Sequence, residues 1–79
     1  MKFFLNRHPE PKLGKTDIAV IVDRKAARYL LIKDRRWDKD NQEWEYEGTA
    51  LVVRNGILEL FGKDYVYGES ELLKVRGLN

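Results

Sequence analysis

Short apolar runs rich in β-branched residues and one stretch of strict period-two alternation mark this chain, and both patterns belong to strands. Ile18-Ala19-Val20-Ile21-Val22 is a β-branched run between Asp17 and Asp23, the pattern of a strand buried on at least one face. Glu43-Trp44-Glu45-Tyr46-Glu47 alternates acid and aromatic, which a half-buried antiparallel strand requires and a helix cannot use. Its aromatic side is expected to face the core. Past Gly48 the phase changes: Leu51 and Val53 become the bulky positions, while Ala50 and Val52 keep the parity of Trp44 and Tyr46. A bulge or sharp bend near Gly48 would reconcile the two halves.

The strongest local signal is Val52-Val53-Arg54-Asn55-Gly56-Ile57-Leu58, because Asn-Gly accepts the positive φ angles of a two-residue type I′ turn. It predicts a β-hairpin with Leu58 and Leu60 toward the core and Glu59 outside. Gly62-Lys63-Asp64 reads as a further turn and Tyr65-Val66-Tyr67-Gly68 as a short extended piece. Glu69-Ser70-Glu71-Leu72-Leu73-Lys74-Val75 reads as one tight helical turn entering a last short strand.

Two segments are less determinate. Arg28-Tyr29-Leu30-Leu31-Ile32-Lys33 fits a strand with Leu30 and Ile32 on one face, or a helix capped by Asp23 that aligns Ala26, Tyr29, Leu30 and Lys33. The strand is favoured, since a helix would have to dissolve within a few residues at Trp37-Asp38. Residues 1–15 contain Arg7-His8-Pro9-Glu10-Pro11-Lys12, where two prolines favour extended backbone, and read as an arm or irregular lead-in whose Phe3, Phe4 and Leu5 can pack onto the domain.

About five short strands with little helix do not make a stable flat sheet at this size, and closing the sheet removes its edges. The pattern resembles an SH3-like small β-barrel over roughly residues 16–76. The resemblance rests on the early apolar strand, a polar loop at residues 34–42, the bent Trp-Glu-Tyr-Glu-Gly strand, the Asn-Gly hairpin and the closing Gly-Glu-Ser-Glu-Leu-Leu-Lys-Val turn and strand. The expectation is an all-β, five-stranded barrel with a 3-10 or helical turn before the last strand, residues 1–15 forming a lead-in and 16–79 the domain. The resemblance implies a binding fold that engages peptides, protein subunits or nucleic acids. The Ala-Leu-Tyr-Asp-Tyr-like motif of proline-binding SH3 domains is absent, which argues against PxxP recognition.

Composition narrows the chemistry. Seventy-nine residues make one small domain with little room for an internal pocket. No apolar run approaches the roughly 18 residues of a membrane span, so a cytoplasmic protein is expected. The chain has no cysteine, hence no disulfide framework, thiolate metal site or nucleophilic thiol. Its one histidine, His8, cannot build a zinc site, which takes three or four His or Cys ligands. No cofactor is expected. Residues 1–40 carry eleven Lys/Arg against six Asp/Glu and residues 41–79 four against seven, a basic half followed by an acidic one.

Asp38-Lys39-Asp40-Asn41-Gln42 spaces its acids like a calcium loop, but Glu43 stands where the turn glycine is needed and Thr49 where the bidentate glutamate is needed. Glu43, Glu45 and Glu47 project from one strand face as its solvated side. With no nucleophile elbow, phosphate loop or dinucleotide fingerprint, enzyme chemistry is not expected. The region at residues 34–48 holds the remaining candidates. Arg35, Arg36 and Trp37 are the expected protein-contact residues, because Trp and Arg dominate binding hot spots; Trp37 is either an exposed contact or a lid on the barrel end. Arg24, Lys25, Arg28 and Lys33, with Tyr29, Trp37 and Trp44, form the rival nucleic-acid surface. The leading expectation is a non-enzymatic module or accessory subunit that binds another protein, as a monomer or weak oligomer.

Overall fold

A computed structural model describes residues 8–22 and 28–75. The predicted extended segments pair into one antiparallel sheet of five strands: β1 (Ile18–Ile21), β2 (Tyr29–Asp38), β3 (Glu43–Arg54), β4 (Ile57–Gly68) and β5 (Leu72–Lys74). A 3-10 turn at Glu69–Glu71 precedes β5, as the sequence predicts. The spatial order is β4-β3-β2-β1-β5. No pairing joins the two edges among the described residues, so the sheet is open rather than closed into a barrel.

The sheet is nevertheless curled. Laid flat, β4 and β5 would stand four strand spacings apart, roughly 19 Å. The steps from Gly68 to Leu72 reach about 14 Å at full extension and less through a 3-10 turn. Only a sheet bent on itself lets that connection close. The concave face holds the core: Leu13, Ala19, Ile21, Leu30, Ile32, Tyr46 and Leu72 are buried together, with Trp44, Tyr65 and Tyr67 packed against them.

Two irregularities set which side chains reach that core. In β2, Ile32 lies opposite Gly48 and Asp34 opposite Glu47, leaving Lys33 as an extra residue. The bulge switches parity, so that Leu30 and Ile32 and then Arg35 and Trp37 share the concave side. Gly48 makes the close approach there possible: a Cβ would collide with the Leu31 carbonyl oxygen and come within 2.8 Å of Leu30 Cγ. In β4, three residues from Phe61 to Lys63 stand against Ala50, with Gly62 at φ 87°.

Several expectations change. The strand reading of residues 29–33 holds, and residues 34–37 continue the same strand instead of forming a loop; the polar connection shrinks to residues 39–42. Gly62-Lys63-Asp64 bulges within a continuous β4 and is not a turn between strands. β3 itself carries no bulge at Gly48. Its change of phase therefore persists, and Leu51 and Val53 fall on the convex face opposite Leu60 and Leu58. Leu58 and Leu60 consequently lie away from the core, and Leu60 is 67% exposed. The Asn-Gly hairpin forms as expected, with φ 55° at Asn55 and 75° at Gly56. Phe3, Phe4 and Leu5 lie outside the described residues.

Candidate functional site

The predicted contact residues divide between the two faces of β2. Arg35 pairs across the strands with Tyr46 and Trp37 with Trp44, on the concave side; Arg36 pairs with Glu45 on the convex side. Arg35 and Trp37 belong to an aromatic corner built with the arm. His8 stacks on Trp37 at 4.1 Å between ring centroids, and Trp44 meets Trp37 edge-on at 5.5 Å. The Trp44 indole N–H donates to the Pro9 carbonyl at 2.6 Å. The Arg35 guanidinium lies over the Trp44 ring at 5.9 Å and donates to the Leu13 carbonyl at 3.5 Å. Trp37 is thus half-buried under His8.

Deeper on the same side, the fully buried Tyr46 hydroxyl donates to Glu69 Oε2 at 2.5 Å and accepts the Leu13 N–H at 3.3 Å. Glu69 Oε2 also accepts the Lys12 N–H at 2.9 Å. Burial, reinforced by the Glu69 carboxylate, pushes the Tyr46 phenol up to about 12. This hydroxyl ties arm, central strand and 3-10 turn together, a structural role that its place in an acid–aromatic alternation does not disclose.

The convex face has a charged half and an apolar half. In the charged half Lys33 Nζ bonds Asp64 Oδ2 at 2.7 Å, Thr49 donates to Asp64 Oδ1 at 2.8 Å, and Arg36 pairs with Glu45. The Asp64 hydrogen bond raises the Lys33 pKa, and the Glu45 hydrogen bond raises that of Arg36. Lys33 in turn holds the Asp64 carboxyl below its ordinary range, aided by Thr49. A shallow depression lined by Asp34, Arg35, Arg36, Glu45, Glu47 and Val66 opens here. At the adjoining turn, Asp38 accepts from the Asn41 side chain at 2.7 Å and from the backbone N–H groups of Asp40 and Asn41, which lowers its pKa. The acid spacing there serves a turn. Among the described residues no group of three or more His, Asp or Glu is placed to hold a metal ion.

Of the rival basic set, only Arg28 and Lys33 lie among the described residues. Lys33 is engaged by Asp64, and Arg28 lies over the Phe61 ring at 5.7 Å. Arg24 and Lys25 lie outside the described residues.

The apolar half of the convex face was not singled out from sequence. Cross-strand register aligns Leu73, Val20, Tyr29, Leu51 and Leu60 in one row across all five strands. Val53 and Leu58 form the next row on β3 and β4. Leu51 is 6% exposed, yet Leu73 and Leu60 at the two ends are 60% and 67% exposed and Val53 52%. The change of phase after Gly48 was the available signal. No protein-family model matches the sequence, and no curated protein or solved structure matches the chain.

Proposed function

We propose that this chain is a non-enzymatic protein-binding module of SH3-like organisation. The apolar row on the convex face carries the reading: its side chains, on five neighbouring strands, are all apolar apart from the Tyr29 hydroxyl, and while Leu51 at its centre is buried, its ends at Leu73 and Leu60 are uncovered. Scattered exposed leucines need no explanation, but neighbouring exposed apolar residues such as Val53 and Leu60, flanking the half-buried Leu58, are characteristic of an interaction surface. The curled five-strand order and the 3-10 turn before β5 support the SH3-like part of the reading. The contact surface shifts accordingly, from Arg35, Arg36 and Trp37 to the row, because Trp37 is stacked under His8 and the two arginines face opposite ways.

Nucleic acid is the weaker partner, since Lys33 and Arg36 are both paired with carboxylates. Oligonucleotide titrations at low and high salt test it, because phosphate binding weakens steeply with salt. The protein-binding reading is tested with tagged wild type, Leu60→Lys and Val53→Lys in extracts of the native cell, with circular dichroism as a check on folding. A partner held by wild type and lost by both variants is the expected result. Equal retention by all three, or no retained protein, overturns it.

A further inference from the structure

The row ends on β4, whose outer edge pairs with no other strand among the described residues. Arg54 and Ile57 flank the two-residue turn as a hydrogen-bonded pair, so backbone groups of alternate β4 residues point toward β3 and away from it. Ile57 and Glu59 turn inward to β3, leaving the N–H and C=O groups of Leu58 and Leu60 directed out of the sheet. β4 is an edge strand, and beyond Leu60 the bulge at residues 61–63 interrupts it. The flat, open stretch is therefore Ile57-Leu58-Glu59-Leu60. It contains none of the proline or lysine that usually blunts an edge.

Resting on the protein-binding reading, we propose that this stretch takes an extended segment of a partner protein as an added antiparallel strand, of the pattern apolar–basic–apolar. Three observations converge on that occupant. The outward backbone groups of Leu58 and Leu60 supply the ladder. Apolar residues placed opposite Leu58 and Leu60 extend the two convex rows and cover the exposed Leu60 side chain. Between them the partner meets Glu59, the one charged residue of the stretch, whose Arg54 neighbour stands 3.7 Å away in an exposed, weak pair. A lysine or arginine opposite Glu59 is favoured. A second copy in the register that pairs Leu58 with Leu60 of its twin is disfavoured, because it sets Glu59 against Glu59 and like charges directly opposite repel; the other registers are read out by amide shifts that depend on protein concentration.

Backbone amide spectra recorded during titration with two peptides, Thr-Val-Lys-Val-Thr and Thr-Val-Glu-Val-Thr, test the proposal on wild type and Glu59→Lys. The expected result is shifts centred on the Leu58 and Leu60 amides, with wild type preferring the Lys peptide by about fivefold and Glu59→Lys inverting the preference. No movement of those amides at about 10 mM peptide, an uninverted preference, or shifts that depend on protein concentration without peptide, which signal a second copy, would each overturn it. Failure here leaves the protein-binding reading standing if Leu60→Lys and Val53→Lys still abolish capture. Failure of both removes the reading itself.

Discussion

Replacing Tyr46 by phenylalanine removes one oxygen from the point where three segments meet. The ring stays, so the core loses no apolar volume, and the cost comes from polar groups. The bond to the Glu69 carboxylate is short at 2.5 Å and charge-assisted, a class worth about 1.5–3 kcal/mol. Glu69 is half-exposed, so water recovers part of that and the lower end applies. Leu13 is buried, and its N–H loses its acceptor, a penalty of about 1–3 kcal/mol. At 3.3 Å that bond is long, which again favours the lower end. The total is about 2.5 kcal/mol, a large part of the roughly 4–12 kcal/mol expected for a domain of this length.

Urea unfolding monitored by tryptophan fluorescence measures it, because Trp37 and Trp44 lie on the same concave side. The midpoint should fall with an unchanged slope. Glu69→Gln and the double variant complete a cycle, in which the double loses at least about 1 kcal/mol less than the two singles together. A Tyr46→Phe variant within about 0.5 kcal/mol of wild type, or additive singles, would refute the argument that the hydroxyl couples arm and turn.

Gly48→Ala should destabilise by about 1–3 kcal/mol in the same unfolding assay, since the new methyl meets the Leu31 carbonyl and Leu30 at the β2 bulge. Trp37→Ala should cost about 2 kcal/mol, below a fully buried tryptophan, because only part of the ring is covered by His8 and Trp44; an unchanged thermal midpoint would show that the stack contributes nothing. The raised Tyr46 pKa makes stability fall as pH rises from 10 toward about 12, because the unfolded phenol releases its proton first while the native one retains it. Phenolate absorbance of wild type minus that of Tyr46→Phe should show one ionisation near 12; ionisation near 10 would contradict it.

The elements were legible where local chemistry decides them. The Asn55-Gly56 turn, the alternation through Tyr46 and the tight turn into β5 follow from positive φ, period two and the Glu69-Ser70-Glu71 pattern. Residues 34–37 read as loop because their charges suggest solvent, yet their cross-strand partners on β3 hold them extended. The parity change from Leu30 and Ile32 to Arg35 and Trp37 was a bulge signal masked by those charges. The site was least legible. Trp37 and its arginines form a sensible contact set by residue type, but a bulge at Lys33 decides which of them share a face, and long-range pairing sets that bulge.

Bulges fall in this sheet where they interrupt one ladder and not two. β3 is paired on one side to β2 and on the other to β4 through the region of Gly48. β2 at Lys33 has passed beyond its pairing with β1, which ends at Leu31, and β4 is an edge throughout. An extra residue in β3 would leave unpaired backbone on both flanks, whereas one in β2 or β4 costs a single ladder. β3 therefore stays in phase, and its bulky residues after Gly48 are committed to the convex face. Leu51 is buried there, but Val53 on β3 and Leu60 opposite on β4 are exposed, so burial does not require an apolar side chain at either. Thr49, on the same face, shows that a polar residue fits the strand equally well. Val53→Thr and Leu60→Thr should consequently leave stability nearly unchanged while reducing partner binding, which separates an apolar surface kept for contact from one needed for folding.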